Sequence, residues 1–308
     1  MEVDVSGPRC AVLPEGSRPQ LEDAVRDAGG TVVPVEDAEA VIWTDPSEAA
    51  TLRETLDANP AIRWVQLPFA GIEPFVPHLD EDRIWTCGKG VYAEPVAEHA
   101  LMLALAGMRG GLRYARETTW SGPYGYNLLG ARVTILGGGE ITRSLVRLLR
   151  PFGVHLTVIR NRPEPIPGVA QVLPASRLHE PLAEADLVVV ALALTPETEQ
   201  IIDAAALEAM REHAWLVNVA RGRHVDTDAL VDALQRGSIG GAALDVTDPE
   251  PLPDGHPLWT LPNALITPHV GNTPEMGIKL LAARIRDNVQ RYAEGRELLG
   301  PVHVDLGY

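Results

Sequence analysis

The apolar positions in the first third of the chain fall into short runs separated by helical patterns. Four runs are typical of strands, CAVLP, TVVPV, AVIWT and RWVQL, and IWTCGKG follows as a fifth. Residues Leu21–Gly30 have helical spacing that ends on Gly-Gly, and Pro46-Ser47 is expected to open a helix that continues to Leu56. Strands that alternate with helices predict a parallel sheet covered on both faces.

A second series of strands follows a long apolar helix from Pro95 and a polar, turn-rich connector. Its runs are RVTIL, HLTVI, DLVVVALAL, AWLVNVA, GAALDV and ALITPH, and a last helix lies in GNTPEMGIKLLAARIRDNVQRYAEG. Continuously apolar strands bounded by turns suit a parallel sheet whose faces are both buried. The predicted fold class is therefore α/β, with two doubly wound parallel-sheet domains.

Composition narrows the class of partner. The chain has 308 residues, enough for two domains of about 150 residues each. Its net charge of −16 disfavours nucleic acid and anionic membranes as partners. The longest apolar run, Ala100–Met108, is shorter than the ~20 residues of a membrane span, and MEVDVSGPRC shows no signal-peptide pattern. Cys10 and Cys87 form neither a disulfide framework nor a metal-ligand spacing, so we expect a cytoplasmic protein without a metal.

A glycine-rich loop, Gly137–Gly139, lies between the strand RVTIL and a helix, which is the context of a dinucleotide-binding fingerprint. The first glycine permits a tight turn, and Gly139 lets the backbone approach a pyrophosphate. The amides of Glu140 and Ile141 would point at phosphate from the helix N-terminus. Thr142 replaces the usual third glycine, so a small shift in helix–strand packing is expected. A triple-glycine turn can also be purely structural.

The end of the next strand, HLTVI, bears on the choice of cofactor. NAD-specific proteins place an acid there to bind the ribose 2′-hydroxyl, but here Arg160-Asn161-Arg162 follow the strand. A guanidinium can bind a 2′-phosphate with two hydrogen bonds. The sequence therefore predicts a preference for NADP(H), with NAD(H) possible. The alternative is that both arginines only solvate a loop.

Three residues further along the chain can carry proton and carboxylate chemistry. They are Arg221 in VNVARG, Glu250 in DPEP and His269 in TPHVG. Arginine can hold a carboxylate in a planar fork, and histidine can transfer a proton near neutral pH. A neighbouring carboxylate would keep that histidine protonated, and Asp248 in the same acidic loop competes with Glu250 for this role. Each residue taken alone is more often structural.

In this order, downstream of the glycine loop, these motifs resemble the D-isomer-specific 2-hydroxyacid dehydrogenase family, from about residue 60 to about residue 300. The resemblance implies a Rossmann cofactor domain at residues 99–274 and a discontinuous, flavodoxin-like substrate-binding domain at 1–98 and 275–308. It implies reduction of a small 2-keto acid, such as glyoxylate or hydroxypyruvate, to a D-2-hydroxy acid. In that reaction His269 is the acid/base, Glu250 pairs with it, and Arg221 grips the substrate carboxylate.

The resemblance also implies binding roles. In the loop PFAGIE, backbone amides around Ala70, Gly71 and Ile72 would hold the substrate carboxylate, because small residues let the backbone come close. Phe69 and Tyr92 would border the substrate pocket, although both could equally be core aromatics. The implied cofactor-binding residues are Gly137, Gly139, Glu140, Ile141, Arg160, Asn161, Arg162, Val219, Ala220, Asp245 and Gly271, of which Asp245 would face the nicotinamide.

Other readings stay open at this point. The family implies a homodimer formed through the helix from Pro95. Bulkier 2-keto acids are an alternative substrate class, and phosphite oxidation is a distant one because no extra cation is evident. The chain could instead be a non-catalytic NAD(P)(H)-sensing binding protein related to the corepressors of the family. Thr247, where an aromatic residue is common, is a further departure from the family pattern.

Overall fold

The computed structural model describes residues 7–304, which form two compact units. The first unit runs to Tyr92 and resumes at Thr273, and the second is Ala93–Asn272. Residues 1–6 and 305–308 lie outside the described residues. They include the start of the segment MEVDVSGPRC, in which no signal peptide was predicted, and the two outer ends of the predicted substrate-binding domain. The functional roles assigned to the two predicted domains stay predictions.

The first unit contains a five-stranded parallel sheet. Its elements are β1 (Arg9–Leu13), α1 (Pro19–Asp27), β2 (Thr31–Val32), β3 (Ala40–Trp43), α2 (Ala49–Ala58), β4 (Trp64–Gln66) and β5 (Ile84–Thr86). The strand order is β2-β1-β3-β4-β5, which is the flavodoxin-like doubly wound order.

Two boundaries in this unit differ from the sequence prediction. α2 begins at Ala49 rather than Pro46, because the Asp45 carboxylate accepts hydrogen bonds from the amide and hydroxyl of Ser47 and keeps this segment in a turn. β2 ends at Val32, and the predicted strand TVVPV continues instead as a 3₁₀ turn, since Pro34 has no amide to donate to a ladder.

The second unit contains a seven-stranded parallel sheet. Its elements are α3 (Ala93–Met108), α4 (Gly111–Arg116), β6 (Arg132–Leu136), α5 (Glu140–Leu149), β7 (His155–Ile159), β8 (Gln171–Leu173), α6 (His179–Leu182), β9 (Leu187–Val190), α7 (Ala204–Ala209), β10 (Trp215–Asn218), α8 (Thr227–Arg236), β11 (Gly241–Leu244) and β12 (Ala264–Ile266). The order β12-β11-β10-β9-β6-β7-β8 reverses direction between β6 and β9. That reversal is the topological switch point of a Rossmann sheet.

The predicted fold class, two doubly wound parallel-sheet domains, is confirmed. Sequence reasoning missed the strand β8 and the helices α4, α6, α7 and α8. β8 is a three-residue edge strand, too short to show a periodic pattern. The amphipathic α8 has a clear start at Asp226, whose carboxylate accepts the amide of Ala229, and a glycine stop at Gly237.

The apolar helix α3 packs directly on the second sheet. A Cβ at Gly107 would lie 2.2 Å from a ring atom of Trp215 in β10, so glycine is what allows this close approach. The last helix, α9 (Pro274–Ala293), belongs to the first unit, where its Leu281 and Ile285 share a buried cluster with Leu21 of α1. Within residues 7–304, no helix combines the length and apolarity needed to cross a membrane.

Candidate active site

The predicted site residues of the second unit follow the carboxyl ends of its strands. Gly137 follows β6, Arg160 follows β7, Arg221 lies three residues after β10, Asp245 follows β11 and His269 lies three residues after β12. Because all these strands are parallel, their carboxyl ends lie at one edge of the sheet. β10, β11 and β12 are also immediate neighbours, so the loops after them are adjacent.

His269 and Glu250 form a close pair at this edge. Nδ1 of His269 lies 2.6 Å from Oε1 of Glu250, and about half of the imidazole surface is exposed. The hydrogen bond to Glu250 raises the pKa of His269, against a smaller opposing effect of burial, and the same bond lowers the pKa of Glu250. Among the residues that the structure describes, Asp248, the competing acid, forms no hydrogen bond or ion pair with His269. The geometry thus selects Glu250 as the partner.

The turn that carries His269 is held by Asp245. The amide of His269 donates to the main-chain oxygen of Asp245 at 2.8 Å, while His269 itself has a φ of 53°. A left-handed conformation is uncommon for a non-glycine residue and is retained only when its surroundings fix it. The Asp245 carboxylate accepts hydrogen bonds from His99 Nε2, Thr267 Oγ1 and the amides of Val270 and Gly271.

Asp245 remains ionised although it is almost fully buried, with 3% of its surface exposed. Burial alone would raise its pKa, but the hydrogen bonds from His99, Thr267, Val270 and Gly271 outweigh this effect and lower the pKa to about 2. A carboxylate with several donors is stabilised in its charged form. Asp245 is therefore a buried anion under the turn at neutral pH.

Arg221 lies in a tight loop after β10. The side-chain oxygen of buried Asn218 accepts the amide of Ala220, and its nitrogen donates to the carbonyl of Arg221, which shapes the loop. A Cβ at Gly222 would lie 1.9 Å from the Thr247 carbonyl oxygen, so glycine lets this loop pack on the loop that carries Glu250. The Arg221 charge is close enough to lower the pKa of both Glu250 and His269.

The glycine loop fits a dinucleotide phosphate. Gly137 has a φ of 111°, and a Cβ there would lie 2.2 Å from the carbonyl oxygen of Ala191, so no other residue fits this turn. A Cβ at Gly139 would meet nothing within 4 Å, which leaves space in front of the helix. Among the described residues, the amides of Glu140 and Ile141 donate no hydrogen bond to the protein. These donors at a helix N-terminus suit an anion.

Thr142, which replaces the third glycine, is completely buried. Its hydroxyl donates to the carbonyl of Gly137 at 2.8 Å and so ties the first turn of α5 to the loop. After β7, the side chain of Arg160 lies against Gly138, where a Cβ would be 2.8 Å from its Cδ. Within residues 7–304, neither Arg160 nor Arg162 forms an ion pair, and no acid replaces them at the end of β7.

Other predicted cofactor residues occupy different surroundings. Val219 and Ala220 are buried in the apolar clusters on the two faces of the sheet, and Asn161 is exposed. Gly271 packs against Asp245, because a Cβ there would lie 3.0 Å from its Oδ2. Residues 7–304 contain no group of three or more histidine, cysteine or acidic side chains that could hold a metal ion.

The predicted substrate loop lies in the first unit, after β4. Phe69 and Tyr92 are in contact, with ring centroids 5.5 Å apart, and the Tyr92 hydroxyl donates to the carbonyl of Pro68 at 2.9 Å. Ile72 is buried, whereas Ala70 is exposed. Among the described residues, the amides of Ala70, Gly71 and Ile72 donate no hydrogen bond to the protein.

Sequence reasoning missed four residues that shape the site, namely His99, Asn218, Gly222 and Thr267. Asn218 and Gly222 flank the predicted Arg221, so the short VNVARG motif contained a signal for them. Thr267 is likewise adjacent to the histidine motif. His99 had no such signal, because it lies on a helix more than a hundred residues before its partner Asp245.

Comparison with known proteins identifies the family. Residues 99–271 match the family model described as D-isomer specific 2-hydroxyacid dehydrogenase, NAD binding domain. The chain belongs to this family. It is therefore an NAD(P)-dependent oxidoreductase from a family whose substrates are small 2-keto and 2-hydroxy acids.

Individual relatives cover most of the chain. It is 37% identical over 295 residues to an uncharacterized protein of Corynebacterium melassecola, which covers 92% of this chain and 95% of that protein. It is 32% identical over 278 residues to a glyoxylate reductase of Korarchaeum cryptofilum, covering 85% and 81%. The crystal structure of a family member from Xanthobacter autotrophicus, in complex with NADPH and MES, is 27% identical with a TM-score of 0.84, covering 98% and 100%.

Proposed function

We propose that this dehydrogenase reduces a small 2-keto acid of the glyoxylate or hydroxypyruvate class to the D-2-hydroxy acid, with NADPH as the preferred reductant. The observation that carries the proposal is the 2.6 Å contact between His269 and Glu250 beside the charge of Arg221. The glyoxylate reductase of Korarchaeum cryptofilum supports the substrate class. When bound, the reduced nicotinamide supplies the hydride.

His269 acts as the proton donor. Its Nδ1 is taken by Glu250, so Nε2 is the nitrogen that delivers a proton to the keto oxygen of the substrate. Glu250 favours the imidazolium by its negative charge, which keeps the donor loaded. Arg221 pairs with the substrate carboxylate through its planar guanidinium, and the loop of Ala70, Gly71 and Ile72 offers amide donors to the same class of group.

The preference for NADPH rests on Arg160 and Arg162. Neither is neutralised by an acid within the described residues, and both follow the strand that precedes the ribose position in Rossmann folds. The NADPH complex of the Xanthobacter autotrophicus relative supports this choice. Replacing both arginines with alanine should lower kcat/KM for NADPH about 10-fold or more and leave that for NADH within about threefold. Arg236→Ala on α8 is the matched control.

We also propose a homodimer formed around α3 and the connector that follows it. This surface exposes the large apolar side chains of Met102, Tyr124, Tyr126, Leu129 and, completely, Trp120, and clustered exposed apolar side chains are typical of protein–protein interfaces. Light scattering of the purified protein should give twice the chain mass of 33.2 kDa. Trp120→Asp should weaken the dimer, and a monomeric wild-type protein would refute the proposal.

The cytoplasmic location stays a prediction. The two cysteines, Cys10 and Cys87, are both buried and unpaired, which agrees with a reducing compartment.

The reaction is tested by following oxidation of NADPH and NADH with 2-keto acids from glyoxylate to phenylpyruvate. Turnover of small acids with NADPH, lost in His269→Ala while cofactor affinity is retained, is the expected result. Turnover of large acids alone would transfer the assignment to bulkier substrates. No turnover on any acid, with cofactor still bound, would contradict the enzyme proposal and favour an NAD(P)(H)-sensing binding protein.

A further inference from the structure

One histidine outside the proposed catalytic set faces the buried Asp245. His99 lies on α3, with 14% of its side chain exposed. Its Nε2 is 3.1 Å from Oδ1 of Asp245 and 3.0 Å from Oγ1 of Thr267. Both partners adjoin or belong to the turn that carries His269, yet among the described residues His99 forms no hydrogen bond or ion pair with His269 itself. His99 can therefore influence His269 only through Asp245 and Thr267.

The hydrogen atoms around Asp245 determine what His99 does there. Thr267 has one hydroxyl hydrogen, and the 2.6 Å distance to Oδ1 of ionised Asp245 assigns that hydrogen to the carboxylate. Thr267 therefore has no hydrogen left for His99. An Nε2 without a hydrogen would place a lone pair against both oxygens, so Nε2 of His99 must carry a hydrogen and donate it.

The Asp245 carboxylate, to which His99 donates, is also hydrogen-bonded to the turn that carries His269. Oδ1 also accepts the amide of Val270, Oδ2 accepts the amide of Gly271, and the main-chain oxygen accepts the amide of His269. These residues flank or include the left-handed His269. A Cβ at Gly271 would lie 3.0 Å from Oδ2 of Asp245 and 3.7 Å from Cδ2 of His99, so helix, carboxylate and turn are packed together.

We propose that His99 is a positioning residue which, by donating to Asp245, fixes the turn that aims His269. This inference rests on the proposed function, in which His269 transfers the proton. Without the donor on α3, the Asp245 carboxylate can rotate, and the amides of Val270 and Gly271 lose a fixed acceptor. His269 then stays folded into the site but loses its orientation, and a proton transfer is sensitive to displacements of the donor below 1 Å.

Two substitutions of His99, to glutamine and to asparagine, differ by one methylene group. Comparing them distinguishes the effect of the hydrogen-bond donor from the effect of losing the imidazole ring. His99→Gln places an amide nitrogen near the position of Nε2 and retains the hydrogen bond to Asp245. His99→Asn carries the same amide nearer the backbone, at the position of Nδ1, and cannot reach Asp245. Glu98→Gln, on the adjacent exposed position of α3, is the control and should behave as the wild type.

The kinetic expectation is a specific loss of chemistry. His99→Asn should lower kcat about 10- to 100-fold, with KM and the dissociation constant of NADPH within about twofold of the wild type. His99→Gln should recover kcat to within about threefold. A fall in NADPH affinity that accounts for the whole loss, or equal kcat values in the two variants, would overturn the proposal.

A second readout needs no turnover. Nuclear magnetic resonance titration of ¹⁵N-histidine-labelled protein, assigned with His269→Ala, follows the imidazole of His269, which is influenced by Glu250, Arg221 and Asp245. A loosened turn weakens the bond to Glu250, so the pKa of His269 should fall in His99→Asn and return in His99→Gln. An unchanged pKa in His99→Asn would overturn the proposal.

The spectrum of the wild-type protein tests the proposal even where a variant fails to fold. It should show Nε2 of His99 protonated, and an Nε2 without a hydrogen would overturn the proposal irrespective of any variant.

The proposed function and the positioning role of His99 are contradicted by different results. A wild-type protein inactive on every 2-keto acid refutes the proposed function, and the titration then still decides the role of His99. An active wild type whose His99→Asn variant is unchanged in both readouts refutes the positioning role alone.

Discussion

Replacing Asp245 with asparagine should destabilise the second unit measurably. Each carboxylate oxygen accepts one backbone amide, Val270 on Oδ1 and Gly271 on Oδ2, both at 2.9 Å. Asparagine offers one acceptor oxygen and one donor nitrogen. In either orientation of the new side chain, its NH₂ group faces a backbone N–H, and one buried amide is left without an acceptor.

The magnitude follows from the electrostatics of the buried carboxylate. Its hydrogen bonds lower the pKa from an ordinary 3.8 to about 2, which corresponds to about 2 kcal/mol of stabilisation of the charged form. Leaving one buried amide without an acceptor costs roughly 1–3 kcal/mol. This cost overlaps in part with the stabilisation of the carboxylate, because both include the hydrogen bond between that amide and Asp245. A total of roughly 2–3 kcal/mol should lower the melting temperature by roughly 4–12 °C for a unit of this size.

Thermal melting followed by circular dichroism measures the effect, with Asp254→Asn in an exposed loop as the control. Because the folded pKa of Asp245 is depressed, its contribution is complete above the unfolded pKa of about 3.9 and is lost as the pH falls towards 2. The gap between wild type and Asp245→Asn should therefore be the same at pH 5 and pH 8. A variant that melts with the wild type, or a gap that closes already near pH 6, would refute the reasoning.

Three further substitutions test the site and the packing beneath it. Glu250→Gln removes the charge that raises the pKa of His269. In the proposed mechanism reduction needs the protonated imidazole, so kcat/KM for reduction should begin to fall at lower pH than in the wild type; superimposable pH profiles would contradict the pairing. Arg221→Lys should raise KM and lower kcat together, because lysine lacks the planar fork, and wild-type kinetics would remove Arg221 from the site. Gly107→Ala should cost roughly 1–3 kcal/mol in the free energy of unfolding, since its methyl group would meet the Trp215 ring at 2.2 Å, whereas Gly122→Ala, with open space around it, should be neutral in the same denaturation assay.

Much of the fold could be predicted because parallel strands that are buried on both faces have continuously apolar sequences. The runs RVTIL, AWLVNVA and GAALDV became β6, β10 and β11, and the glycine loop lies where its context predicted. The edge strand β8 and the short helix α7 could not be found in this way. Both are too short for their apolar residues to show a strand or helix periodicity, so contacts with neighbouring elements determine their conformation.

The sequence by itself determined the class of chemistry. Arg221, Glu250 and His269 are recognisable because each lies in a short motif at the end of a predicted strand, and the arginines after β7 are visible in the same way. The acidic loop alone left both Glu250 and Asp248 open, and the family resemblance favoured Glu250. The structure shows that the Glu250 carboxylate lies against Nδ1 of His269.

Only the tertiary structure decided how the turn that carries His269 is held. His99 on α3 and Thr267 after β12 meet at Asp245, although 146 residues separate His99 from that carboxylate along the chain. Thr267, Val270 and Gly271 supply three of its donors from one segment, but the fourth, His99, comes from a helix that is distant in sequence. Such a cluster has no local signature, because it exists only after the strand order has brought β11, β12 and the packed helix together.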